Sequence, residues 1–165
     1  MGMFMEEWIT LLKANDYLGT KKHLKSGGNP NEVEENGESV ICFALRYHCD
    51  QEIIDLLIEN GADINHVDHE GVSVFDVAVT YNNLGLIERL IESGFDVNHP
   101  TRQSGFTPLM GAVCYGRTEV IKKLLELGVD VHARDAYGLN AIDFARKMHK
   151  KSILALLEGK DNGTD

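Results

Sequence analysis

The sequence predicts an all-α fold, a solenoid of stacked helix-turn-helix units with projecting β-hairpin-like loops. Three residue series that share one period carry this prediction. Glycines at Gly37, Gly71, Gly105 and Gly138 recur at intervals of 34, 34 and 33 residues. Ala44, Ala78, Ala112 and Ala145 each follow one of them by seven residues. A second glycine series closes the next apolar stretch and opens a matching segment: Gly61-Ala-Asp-Ile-Asn65, Gly94-Phe-Asp-Val-Asn98 and Gly128-Val-Asp-Val-His132.

Each element of the unit follows from its residues. Ile41, Ala44 and Leu45 fall at helical spacing, as do Phe75, Ala78 and Val79, and Leu109, Ala112 and Val113. This is a short first helix with one apolar face, whose alanines let neighbouring helices approach closely. The second helix carries the pairs Ile53-Ile54 and Leu56-Leu57, Leu86-Ile87 and Leu90-Ile91, Val120-Ile121 and Leu124-Leu125, and Ile153-Leu154 and Leu156-Leu157. Asp50 and Thr118 fit helix N-caps. Gly61, Gly94 and Gly128 fit the helix C-terminal position, where a positive φ is needed. The Asp/Asn-rich segments that follow form the projecting loops. One unit cannot bury its apolar face alone, so the units must stack.

The repeat resembles the ankyrin repeat. The best copy runs Gly105-Phe-Thr-Pro-Leu-Met-Gly-Ala112, then Tyr-Gly116, Val120-Ile121, Leu124-Leu125 and Gly128-Val-Asp-Val. The resemblance covers Trp8 to Leu157 in four registers. It implies one domain over residues 4–158. A capping repeat occupies 4–36, full repeats 37–70, 71–104 and 105–137, and a terminal repeat 138–158. A flexible tail is expected at 159–165. In the first repeat, Lys22 and His23 take positions that are apolar in later second helices. In the last, Lys147, Lys150 and Lys151 suit a solvated outer face.

Departures from the family pattern are informative. The Thr-Pro-Leu-His motif appears as Ser39-Val-Ile-Cys42, Ser73-Val-Phe-Asp76, Thr107-Pro-Leu-Met110 and Asn140-Ala-Ile-Asp143. No copy keeps the His, so its usual hydrogen bonds must be replaced or absent. One residue is inserted near His48-Cys49-Asp50 and another within His99-Pro-Thr-Arg-Gln-Ser104. Insertions in projecting loops are candidates for recognition, against a background of neutral drift.

Charge narrows the partner class. With 16 Lys+Arg against 26 Asp+Glu the net charge is −10. Such a surface repels nucleic-acid phosphates and anionic lipid, so no nucleic acid and no membrane is expected as partner. A basic protein or peptide fits better. Three cysteines without a CxxC give no disulfide framework. Met1 to Trp8 has no basic n-region, and no apolar run approaches a membrane span. A cytoplasmic monomer is expected.

The resemblance implies a concave binding face made of loops and the exposed flank of the first helices. Its positions include Arg46, His69, Glu70, Gln103, Phe106, Tyr137 and Met148. Tyr47, Tyr81 and Tyr115 all sit ten residues after the repeat glycine and would form a ladder along this face. Tyrosine supplies a large contact area with a polar tip. Against this stands a purely structural role, with the ring covering the end of the short helix. Glu32, Glu34, Glu35 and Glu38 could steer a basic partner, though a solvated acidic loop needs no partner.

No catalytic residues, metal site or cofactor are expected. His66 and His99 share a loop slot, with His69 and His132 nearby, but no HxxxH pair on one helix supports zinc. There is neither GxxxxGK[ST] nor GxGxxG. Cys42 is expected to be buried, and Cys114 to face the groove without a base. The leading function is a stand-alone protein-interaction module, an adaptor or regulator. The alternative is an acidic inhibitor or immunity-type protein that neutralises a basic toxin or enzyme.

Overall fold

Seven to eleven residues is too short for a helix to stand alone in water, yet every helix here has that length. A computed structural model describes residues 3–159, with side chains from Met5 onward. Ten helices follow in chain order among these residues: α1 (Met3–Lys13), α2 (Tyr17–Lys25), α3 (Val40–Arg46), α4 (Gln51–Glu59), α5 (Val74–Thr80), α6 (Leu84–Glu92), α7 (Pro108–Cys114), α8 (Thr118–Glu126), α9 (Ala141–Lys147) and α10 (Lys151–Leu157), with α1 packed on α2, α3 on α4, α7 on α8 and α9 on α10. The fold is an all-α repeat solenoid. The chain divides into two compact units between Tyr81 and Asn82. Apart from Gly159, the expected tail lies outside the described residues.

Within each unit the helices sort into two rows. In the first, α3 packs on α1 and α5, and α2 packs on α4. In the second, α7 packs on α9, and α8 on α10. The alanine series marks the close approaches of the first row: Ala44, Ala78, Ala112 and Ala145 are all fully buried. The second row buries Ile53, Ile54 and Leu57 in one unit, and Leu86, Ile87, Leu90, Val120, Ile121 and Leu124 in the other. Such side chains each contribute about 1.5–3 kcal/mol on burial. Their apolar faces have no other place to go.

The first pair is held by Trp8, which is fully buried and donates its indole N–H to the Asn29 carbonyl at 3.0 Å. His23 does fill the apolar slot, packing edge-on against Trp8 with ring centroids 4.6 Å apart. The one-residue insertion before α4 has a structural use. Cys49 is buried with its thiol donating to the Leu12 carbonyl, and Asn15 and Asp50 exchange two hydrogen bonds. The extra residue thus ties the α3–α4 turn to the end of α1.

Both helix rows stop in the same way. The second-row helices α2, α4, α6, α8 and α10 are followed by glycines in the left-handed region, as at Gly61 (φ 97°). The first-row helices stop on left-handed residues that are mostly not glycine: Asn15, His48, Asn82 and His149, with Gly116 the exception. The N-cap expectations fare less well. Asp50 stands at the N-cap of α4 without a side-chain cap bond, because its carboxylate is turned to Asn15. Thr118 is already helical, and Arg117 precedes α8 without capping it. Lys150 is not merely solvated, since its ammonium donates to the Cys114 carbonyl at the end of α7.

The missing histidine is replaced in two chemistries. Asp76 and Asp143 close capping boxes with Ser73 and Asn140, each carboxylate accepting the N-cap backbone N–H at 3.0 Å. Asp76 also accepts the Ser73 hydroxyl. In the other two copies sulfur stands in. The Ser39 hydroxyl points to Cys42 Sγ at 3.6 Å, and the Thr107 N–H to Met110 Sδ at 3.4 Å.

In the first unit the projecting loops are hairpins of minimal pairing. Val33 bridges Ser39 and Val67 bridges Ser73, one antiparallel bridge each. The loops are latched through main chain, His69 N–H to the Asn36 carbonyl at 2.9 Å in the first unit and Ala136 N–H to the Ser104 carbonyl at 2.8 Å in the second. Gly37 is required at its latch. Its φ is 87°, and a Cβ there would approach the His69 nitrogen to 3.1 Å.

Two outcomes follow. Asp76→Ala removes a buried acceptor of two hydrogen bonds and lowers stability by about 1–2 kcal/mol. Urea unfolding should show a lower midpoint at unchanged slope. Burial pushes the thiols of Cys42 and Cys49 up to about 11. At pH 8 only about one in a thousand is thiolate, since a tenfold loss accompanies each pH unit below the pKa. Iodoacetamide at that pH should therefore leave both unmodified in the native chain and label them after unfolding, as read by peptide mass spectrometry.

Candidate functional site

The first helix row and the loops beside it place the expected partner-binding residues. In the first unit, Arg46 is the last residue of α3, and Tyr47 and Tyr81 cap α3 and α5. Tyr47 stacks on Phe43 at 6.2 Å, with the Lys13 ammonium 5.7 Å from its ring. Tyr81 packs edge-on against His48 at 5.7 Å. Both rings are half-buried and both cover a helix end. His69 and Glu70 lie exposed at the tip of the loop.

The second unit holds the rest. Tyr115 caps α7 and is 53% exposed, with the Arg117 guanidinium 5.9 Å from its ring. Met148 takes the same position at the end of α9 and is also exposed. Tyr137 is 84% exposed at a loop tip. Phe106 is half-buried, edge-on to Phe144 at 5.5 Å and under Arg102 at 5.0 Å. Gln103 is exposed beside it. The tyrosine series is therefore mixed: two rings double as helix covers, while Tyr115 and Tyr137 offer free apolar surface.

Burial and charge pick out a feature that the residue series did not. In the first unit a cavity of about 200 Å³ opens between the α3 and α5 helices and their loops. Glu38, Cys42, Arg46, Asp68, Val77 and Tyr81 line it. Glu38 is 8% exposed, so it leaves the solvated acidic run of Glu32, Glu34 and Glu35. Its carboxylate pairs with the Arg46 guanidinium. Burial pushes the Glu38 carboxyl above its ordinary value, nearby Asp68 adds to the rise, and Arg46 and Asn36 offset only part of it. Burial opposes the charge on Arg46, yet Glu38 and a hydrogen bond to Tyr81 outweigh it and raise its pKa. Asp68 Oδ1 accepts the Glu70 and Val72 N–H groups, both at 2.9 Å. Glu38 was visible in sequence as part of an acidic run. Its burial and its partner Asp68, thirty residues away, were not.

The net charge is also unevenly spread. Residues 1–81 contain 15 acidic and 5 basic residues, and residues 82–165 contain 11 of each. The whole excess of −10 belongs to the first unit. Other chemistry finds less support. His66 Nε2 lies 2.6 Å from the Gly37 carbonyl, a structural contact. Among the described residues no group of three His, Cys, Asp or Glu is arranged to hold a metal ion. Burial raises the Cys114 thiol above its ordinary value. No helix among these residues is long and apolar enough to cross a membrane.

Comparison with known proteins agrees with this architecture. A model of the ankyrin-repeat family, describing three repeat copies, matches residues 11–101 and 43–143. Alpha-latrotoxin-Lg1a of Latrodectus geometricus is 28% identical over 83% of this chain and 10% of its own length. Ankyrin repeat protein FPV031 of fowlpox virus (strain NVSL) is 31% identical over 86% of this chain and 44% of its own. The ankyrin repeat and SAM domain-containing protein 6 of Mus musculus is 30% identical over 69% of this chain and 13% of its own. The chain thus spans less than half the length of these relatives. Ankyrin repeats are generally protein–protein interaction modules and typically not enzymes. Four registers of one repeat, paired short helices latched through their loops, and the family match over most of the chain agree: this chain belongs to the ankyrin-repeat family.

Proposed function

We propose that the chain acts as an adaptor or regulator that binds a basic protein segment along its first helix row and loops. One observation carries the reading: Tyr47, Tyr81, Tyr115 and Met148, the first two half-buried and the last two exposed, recur at one repeat position in a chain whose first unit holds the full negative excess. The aromatics supply contact area with little entropy to lose, and the charge steers a basic partner and speeds its encounter. The same charge disfavours nucleic acid. Arg46, Tyr47, Tyr81, His69 and Glu70 form the contact set of the first unit. Gln103, Phe106, Tyr115, Tyr137 and Met148 form that of the second. No cofactor or metal enters this reading.

The inhibitor reading uses the same contacts with a different consequence, and the concentrated charge favours it when the partner is a basic enzyme or toxin. Neutralised activity of the captured partner separates it from an adaptor.

The test uses affinity capture from the native cell, with the wild-type chain and the Tyr47→Ala/Tyr81→Ala/Tyr115→Ala variant. The variant should retain its helical circular dichroism and a cooperative melt. Its affinity for the captured partner should drop about a hundredfold, since two hot-spot aromatics at roughly 2 kcal/mol each would exceed that loss. Capture by the wild type should weaken as salt rises. A folded variant that binds with unchanged affinity would overturn the proposed face.

A further inference from the structure

The cavity beside Arg46 has a size and a charge pattern that describe its guest. Its volume of about 200 Å³ lies below the ~300–1,000 Å³ of sites for drug-sized molecules, so one side chain fits better than a metabolite. Two carboxylates, Glu38 and Asp68, face it with a single guanidinium, Arg46. Arg46 serves Glu38. Asp68 spends one oxygen on two backbone N–H groups, and no ion pair reaches it among the described residues. The Tyr81 ring and Val77 give the wall an apolar part.

We infer that this cavity receives one arginine side chain of a bound protein partner, its guanidinium pairing with Asp68 beside the internal Arg46–Glu38 pair. The inference rests on the protein-binding reading above and adds to it a specific anchor. Arginine suits the site better than lysine. Its planar fork bonds a carboxylate from two nitrogens, it stacks on an aromatic face, and it is less strongly hydrated than an ammonium. An acidic guest would meet Glu38 and Asp68 at close range. The Arg46 head already shows that these walls accept a guanidinium, held by Glu38 and Tyr81. The raised Glu38 carboxyl is mainly an effect of burial, with a smaller contribution from the nearby charge of Asp68. The first unit's excess of acidic residues brings a cationic segment to the cavity mouth.

The test needs no natural partner. Amide resonances of the ¹⁵N-labelled full chain are followed while acetyl-Gly-Gly-Arg-Gly-Gly-amide is added, with lysine and glutamate versions as comparisons. The arginine peptide should give saturable shifts at Arg46, Tyr81 and the segment from Asp68 to Val72, with the lysine peptide weaker and the glutamate peptide silent. Asp68→Asn keeps the acceptor for the Glu70 and Val72 N–H groups but loses the charge, and should weaken the arginine peptide about tenfold. Val77→Leu fills the cavity without touching charge and should weaken it as well. Asp63→Asn, outside the cavity, should leave it unchanged. Three results would overturn the assignment: no saturable shift, shifts spread over the acidic surface, or equal response to lysine. A positive titration with unchanged capture by a Tyr47→Ala/Tyr115→Ala variant, which leaves Tyr81 in the cavity wall, would keep the pocket and discard the wider face. The reverse pair of results would do the opposite.

Discussion

Helices of seven to eleven residues set the terms for everything else in this molecule. The first turn of a helix is costly to form, and a short one gains too few hydrogen bonds to recover that cost. These helices exist because each presents an apolar face to neighbours on the same row. That requirement explains the small residue at Ala44, Ala78, Ala112 and Ala145, where bulk would hold adjacent helices apart. It also explains why each helix stops so abruptly. A left-handed residue follows every helix among the described residues, and after the first-row helices the chain turns back within three or four residues.

Much of this frame was legible in the primary structure because it is periodic. A glycine at the loop turn, an alanine seven residues on and a glycine after the second helix are short-range demands, and only a few residue types meet them. The stops of the first row were harder to see. Asn15, His48, Asn82 and His149 adopt a conformation that glycine adopts more easily, and a mixed set of residues leaves no repeating letter. The side-chain cap at Asp50, which does take the N-cap position, was lost for a related reason. Asp50 has the right chemistry for α4, but Asn15, thirty-five residues earlier, claims its carboxylate. Local propensity cannot register such a competitor.

The candidate site divides along the same line. An exposed loop-tip position such as Tyr137 follows from repeat register, whereas the helix-cap position does not fix exposure, since Tyr115 stands open there. Tyr47 and Tyr81, at the same position, cover helix ends. The cavity between Glu38, Arg46 and Asp68 lay beyond reach for a different reason. It depends on a buried acid in a run of exposed ones, and on two loops meeting in space. Burial gives those charges their leverage. An exposed pair would be screened and worth little, whereas Glu38 keeps its field inside the wall of the repeat.

The loop latches have a consequence for how such a surface changes over time. His69 reaches the Asn36 carbonyl, and Ala136 the Ser104 carbonyl, through backbone atoms alone. Backbone atoms are the same whichever side chain is attached. The tips of these loops can therefore exchange Glu70 or Tyr137 for almost any residue without disturbing the contact that aligns them. The glycine beside each latch is held to its identity, as are Asp68 and Asp135, whose carboxylates accept the N–H groups of the tip. A scaffold of this kind separates heritable variation in recognition from variation in stability, and new binding specificities can arise on it one surface substitution at a time.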